Sequence, residues 1–368
     1  MIGSLPLSAP QLESRIVPAL QAIEDRLMEV VTSADETINP PTSHLAEAGG
    51  KRLRPVLALL TAQLGEPDLA TGDQIRDAGV AVELTHIATL YHDDVMDEAP
   101  LRRGAPSAQT VWGNSAAILT GDVLVARASQ LVAALGPEAV MAHAKTFERL
   151  CMGQLHETLP RPAGTDPVDH YIQVLADKTG SLIAVSARYG AMLTGAGERT
   201  ERVVEDFGEK IGVAFQLADD VIDLVSDSAT TGKTPGTDLR EGVDTMPVLL
   251  LRKALAAGEL DAAGQAILSR LSTGDLSDDA FLADVVARLR EHPVLTRTRE
   301  MAMAWAAEAI QGLEGLEGAV LDGTRQRLAE SGVEGAAAAA QLSDAGVRVV
   351  QVRAAMEDFA RILVDRAA

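Results

Sequence analysis

Leu12, Ile16, Leu20, Ile23 and Leu27 recur at intervals of three or four, the spacing that lines one face of a helix. They predict a helix over about 10–32. The stretch 39–55, NPPTSHLAEAGGKRLRP, breaks the pattern with a proline pair and a glycine pair, and it reads as a connection. Helical spacing resumes through VLALLTAQL at 56–64. Thr71 and Gln74 stand at capping-box spacing and open a further helix, which Pro100 ends near Glu98. From 107 to 226 the period stays helical, with breaks at 136–137, 160–167 and 194–200, and it continues past 250 without distinctive chemistry. Residues 332–346, GVEGAAAAAQLSDAG, are rich in small side chains and read as a loose hairpin or a mobile segment. Alternating Val/Ile runs bounded by turns are lacking. The pattern therefore predicts an all-α fold. A single domain over 1–368 is expected, with a motif-bearing core at about 44–250 and C-terminal helices at about 251–368 whose packing is left open.

Composition sharpens this. The chain is 47% hydrophobic but only 3% aromatic, which favours close-packed helices over strands. A net charge of −21 repels a phosphate backbone, so nucleic acid is an improbable partner. One cysteine, Cys151, allows no intramolecular disulfide and fits a reducing compartment. No apolar run approaches the roughly 20 residues of a bilayer span, and no basic-then-apolar leader opens the chain, so the expected location is cytoplasmic.

Two short stretches concentrate charge. In LYHDDVMDEAPLRRG, Asp93, Asp94 and Asp97 project from a helix at roughly 0°, 100° and 40°, within one quadrant. In FQLADDVID, Asp219, Asp220 and Asp223 repeat the spacing. A solvated helix face explains one such cluster, but carboxylates this close repel, and two copies each followed by a basic loop point to divalent cations. All-oxygen ligands favour Mg2+, with Mn2+ able to substitute, and Mg2+ completes its shell with water and substrate phosphate. Arg102, Arg103, Lys233 and the group Lys51, Arg52 and Arg54 would then grip phosphate oxygens that the metals do not reach.

In order, the chain carries GGKRLRP, HDDVMD with RRG, WGNSAAILTGD, DKTGSL, and FQLADDVID with GKTPGTDLREG. These blocks resemble the trans-isoprenyl diphosphate synthases (polyprenyl synthetases), of the long-chain type. The resemblance implies an isoprenoid-synthase-type helical bundle around a deep central cavity, with the two aspartate helices facing each other across its mouth, and a homodimer. It implies that all six aspartates hold Mg2+ on the diphosphate of an allylic substrate, farnesyl or geranylgeranyl diphosphate. Arg102, Lys178 and Lys233 match positions contacting that diphosphate. Lys51, Arg54, His86 and Arg103 match the pocket for isopentenyl diphosphate, and Thr179 and Gln216 match residues at the reacting centre. The chain departs from the pattern at Val243, where a lysine is common, leaving Arg240 as the nearest cation, and its C-terminus lacks the frequent basic residues. His92 reads as a hydrogen-bonding orienter, and His156 and Cys151 as ordinary helix residues.

The implied reaction adds isopentenyl diphosphate units head-to-tail to the allylic primer. Reading back from Asp93, Thr89, Ala88, Thr85 and Ala81 lie one to three turns away. One turn rises 5.4 Å, close to an extended isoprene unit of roughly 5 Å. In short-chain members an aromatic side chain at the place of Ala88 floors the cavity. Small residues here imply products of about six to ten units, C30–C50, handed on to a membrane. The alternative is close helix packing with a floor elsewhere, giving a geranylgeranyl or farnesyl diphosphate synthase. A terpene cyclase would call for more aromatics, and a non-catalytic subunit would carry degraded aspartate motifs.

Overall fold

A computed structural model describes residues 10–225 and 235–365. Helices α1 (Pro10–Val31), α2 (Asn39–Glu47), α3 (Leu53–Ala62) and α4 (Asp73–Met96) lead into a two-residue hairpin, β1 (Leu101–Arg102) and β2 (Ala105–Pro106). Then follow α5 (Ala108–Trp112), α6 (Asn114–Ala134), α7 (Pro137–Thr158), α8 (Pro167–Leu175), a π-helical turn (Ala176–Gly180), α9 (Ser181–Leu193) and α10 (Glu198–Val225). The remainder is α11 (Thr237–Arg240), α12 (Met246–Ala257), α13 (Ala262–Thr273), α14 (Asp279–Glu291), α15 (Pro293–Gly312), α16 (Leu316–Glu330) and α17 (Gly335–Asp365). The all-α expectation holds, and the helix breaks fall where glycine and proline placed them.

Four local expectations are corrected. Residues 39–47 form α2 because the proline pair occupies its first turn, where a missing N–H costs nothing and φ is pre-set. The capping box does not form: Gly72 is the N-cap of α4, without a side-chain cap, and its N–H is spent on Leu69 O. Residues 335–346 belong to α17 rather than to a loose hairpin, as the high helix propensity of alanine allows. By length and apolarity α6 qualifies as a membrane span, contrary to the sequence expectation, although it packs along α4 and α5.

Chain contacts divide the molecule into two compact units. The first holds residues up to Glu148, Ser181–Glu209 and Ile310–Phe359, and the second holds Arg149–Gly180, Lys210–Ala309 and residues from Ala360 on. In the first unit α4 is central, packed by α1, α3, α6 and α9, with Val80, Leu84, Ile87 and Tyr91 buried. The Tyr91 hydroxyl donates to Pro41 O at 2.5 Å and accepts from Leu45 N at 3.2 Å, tying α2 to α4. In the second unit α12 packs on α8 and α13, and α14 lies on α13.

The α3–α9 contact depends on Gly190. A Cβ there would overlap the Thr61 hydroxyl and the Ala58 carbonyl, and Thr61 itself donates to Ala187 O at 2.8 Å. Gly190→Ala should therefore cost about 1–3 kcal/mol of stability through overpacking. Thermal unfolding followed by circular dichroism checks this, and an unchanged melting temperature would contradict the packing assigned here.

Candidate active site

The first aspartate motif closes α4. Asp97 is the C-cap, its N–H donating to Asp93 O at 2.8 Å, and Glu98 turns the chain through a left-handed φ of 50°. The three carboxylates do not share one environment. Asp94 is buried, Asp93 partly so, and Asp97 is exposed. Arg102 Nε donates to Asp94 Oδ1 at 2.5 Å, while the buried Oδ2 has no hydrogen-bond partner. Burial raises the Asp94 pKa against the opposing pull of Arg102.

The hairpin supplies the adjoining cations. Arg103 (φ 53°) and Gly104 (φ 80°) form its two-residue turn, both left-handed as a type I′ turn requires. That conformation is strained for arginine. It sends Arg103 back to the α2–α3 connection, where it donates to Leu45 O at 2.8 Å and to Gly49 O. Gly50 permits this approach: a Cβ there would lie 3.3 Å from the Arg103 guanidinium carbon.

Arg52, also left-handed at φ 52°, is only 4% exposed. It grips Glu24 with two 2.7 Å hydrogen bonds, Glu83 Oε1 at 2.9 Å and Ala46 O at 3.2 Å. The expected phosphate role of Arg52 is thus corrected: its donors are committed to holding the connection in shape. Arg54 is different. Its buried Nε has no partner, and burial pushes its pKa down to about 10, Glu83 opposing and Arg103 assisting. His86 lies among Arg54, Arg103, Arg52 and Arg102, and burial followed by those charges holds its pKa well below 6.5. Exposed Lys51 stands beside this group in sequence. This part of the first unit therefore concentrates positive charge, and the described carboxylates paired with it are Glu24, Glu83 and Asp94. Guanidinium groups gathered in this way suit a multiply charged anion.

His92 meets Ile118 O at 3.2 Å and Asp122 at 3.3 Å, over Gly121, as an orienter would. Ala81, Thr85 and Ala88 are buried and Thr89 is partly buried. The Thr85 hydroxyl donates to Ala81 O at 2.8 Å, and its oxygen lies 3.4 Å from His143 Nε2.

In the second unit, Lys178 and Thr179 sit in the π-helical turn, a wide turn that displaces side chains from the α-helical register and recurs at functional sites. Asp177 anchors the turn through Arg149 Nε at 2.7 Å and Gln173 Nε2 at 2.9 Å, and Lys178 pairs with Glu157. On α10, Gln216, Asp219 and Asp223 are partly exposed, but Asp220 is 5% exposed. Tyr171 donates to its two oxygens at 3.0 and 3.1 Å, and Met246 N donates to Oδ2 at 3.1 Å. Burial, with Asp238 nearby, pushes the Asp220 pKa well up. Gly236 N donates to Asp223 O at 3.0 Å. Lys233 lies outside the described residues. Arg240 is paired with Asp279 at 2.5 Å.

The donor chemistry fits hard divalent ions. Every candidate ligand is a carboxylate oxygen, and the orphaned Asp94 Oδ2 leaves an acceptor to be filled. Among the described residues no three acidic or histidine side chains are placed to hold an ion by themselves, as expected where Mg2+ takes one or two carboxylates and completes its shell with water and phosphate. Sequence reasoning missed Glu24, Glu83 and Tyr171. Glu83, set in the apolar run VAVELTHIA, carried the one readable signal.

A family model for polyprenyl synthetase matches residues 35–271. The nonaprenyl diphosphate synthase of Mycobacterium tuberculosis is 45% identical over 84% of this chain and 90% of its own length. The geranylgeranyl pyrophosphate synthase of Corynebacterium glutamicum, solved with calcium and isoprenyl diphosphate, superposes with a TM-score of 0.76 at 35% identity, covering 99% of this chain and 100% of that one. A decaprenyl diphosphate synthase from Rhodobacter capsulatus gives 0.75 at 31% identity, over 98% and 99%. The ordered motifs, the helical fold and these likenesses converge on one assignment: the chain belongs to the polyprenyl synthetase family of prenyltransferases.

Proposed function

We propose that this protein is a Mg2+-dependent, cytoplasmic, homodimeric synthase with a single catalytic domain over 1–368. It adds isopentenyl diphosphate to farnesyl or geranylgeranyl diphosphate and releases all-trans polyprenyl diphosphates of about C30–C50. The observation that carries this reading is α4 itself: its last turns present His86 within the arginine cluster, then the small residue Ala88, then Asp93 and Asp97. The names of the nonaprenyl and decaprenyl relatives support a long product. The Corynebacterium geranylgeranyl synthase supports the second reading, a short-chain product. The dimer is supported by α6, which leaves Ile118, Leu119 and Val123 exposed on an otherwise apolar helix.

The chemistry follows from charge. The aspartate motifs would hold Mg2+, which would supply electrostatic relief for the charge of a departing diphosphate. Arg102 and Lys178 would share that charge as the allylic C–O bond ionises, a part the motif match also assigns to Lys233. Lys51, Arg54 and Arg103 hold the second diphosphate, and neutral His86 adds a donor without a further cation. The double bond of isopentenyl diphosphate attacks the allylic cation, and a proton leaves. Buried Ala, Leu and Val side chains offer the cation no nucleophile and exclude water.

Turnover should vanish with a chelator, and Asp93→Ala or Asp219→Ala should lower kcat by two or more orders of magnitude while the helical signal persists, as on the order of 3 kcal/mol of transition-state stabilisation requires. Steady-state kinetics with Mg2+ tests this, and near-normal turnover in both variants would remove the metal assignment.

Product sizing by mass spectrometry tests chain length. Wild type should reach at least six units, and Ala88→Tyr should stop at about three or four, because a ring one turn below Asp93 obstructs elongation at roughly 5 Å per unit. Wild type stopping at four units favours the short-chain reading.

His86 also gives stability a pH signature. The unfolded imidazole titrates near 6.5, whereas the folded one is held well below that value. Below pH 6.5 the unfolded chain binds a proton that the folded chain refuses, so stability falls as pH falls. Denaturant midpoints between pH 7 and 5 should decline less steeply in His86→Gln than in wild type, and equal slopes would contradict the burial of a neutral ring.

A further inference from the structure

The motif spacing treats Asp219, Asp220 and Asp223 as equivalent, but the second unit does not. Asp219 and Asp223 remain partly exposed, whereas Asp220 is 5% exposed with acceptors already engaged. The Tyr171 hydroxyl bridges both carboxylate oxygens, and Met246 N adds a donor to Oδ2. Met246 is the first residue of α12, whose N-cap, Thr245, makes no side-chain cap. Asp220 therefore does for α12 what a capping side chain would do: it accepts an orphan N–H of the first turn. One carboxylate joins α8, through Tyr171, to α10 and to the start of α12. Unlike Asp94, whose Oδ2 has no partner, Asp220 has donors on both oxygens, and a hydrated Mg2+ would have to displace them.

We propose that Asp220 is a strut rather than a metal ligand, and that Tyr171 is a positioning residue for the second aspartate motif. By fixing Asp220, Tyr171 sets the rotation of α10 about its axis and so the direction in which Asp219 and Asp223 present their carboxylates. It lies on α8, which runs directly into the π-helical turn bearing Lys178 and Thr179, so one hydroxyl registers a cationic and an acidic element of the same unit. This inference rests on the prenyltransferase reading.

The test is calorimetric titration of Mg2+ into the full chain with inorganic pyrophosphate, beside steady-state kinetics. Tyr171→Phe keeps the ring and removes only the donor. It should weaken Mg2+ binding by tenfold or more, the usual effect of losing an outer hydrogen bond to a ligand-bearing element. Its KM for isopentenyl diphosphate should stay unchanged, and excess Mg2+ should restore turnover. Asp220→Asn, which removes the charge and keeps one acceptor oxygen, should weaken Mg2+ less than Asp219→Asn does. Wild-type Mg2+ affinity in Tyr171→Phe, or an Asp220→Asn loss equal to that of Asp219→Asn, would overturn the proposal. If wild type binds no Mg2+–pyrophosphate and makes no prenyl product, the prenyltransferase reading falls instead.

Discussion

Positive charge held away from water is the constraint on which the first unit is organised. Arg52, Arg54, Arg102 and Arg103 crowd about His86, and the described carboxylates within reach are Glu24, Glu83 and Asp94. Partly desolvated guanidinium groups are costly unless they are paired, and Arg54 retains a buried donor with no partner. The expense is bearable because Arg52 is fully committed. With its donors on Glu24, Glu83 and Ala46 O, it fixes the connection on which its neighbours stand. An arriving diphosphate meets donors whose geometry is already set.

Backbone conformation does the placing. Left-handed Arg52, Glu98 and Arg103 are the non-glycine residues with positive φ among those described, and all three lie at the ends of segments carrying the charged groups. In the second unit a π-helical turn plays the corresponding part for Lys178 and Thr179. Strain concentrates where side chains must be aimed.

The helix breaks and the all-α fold were legible because glycine and proline act locally. The aspartate and arginine blocks were legible because like charges at such spacing need a counter-charge. What escaped depends on the phase of a helix against its core. Spacing makes Asp219 and Asp220 alike, yet α10 turns one outward and one inward. It also makes Arg52 and Arg54 alike, and only the fold brings Glu24 and Glu83 to the first of them. The start of α2 escaped because a proline pair that usually marks a break can also open a helix.

With its geometry already set, the arginine cluster must be an anion site in its own right. Calorimetric titration of isopentenyl diphosphate into the metal-free protein tests this directly. Binding without divalent ions, weakening steadily as salt is raised, is the predicted result. Binding that appears only once Mg2+ is added would contradict it.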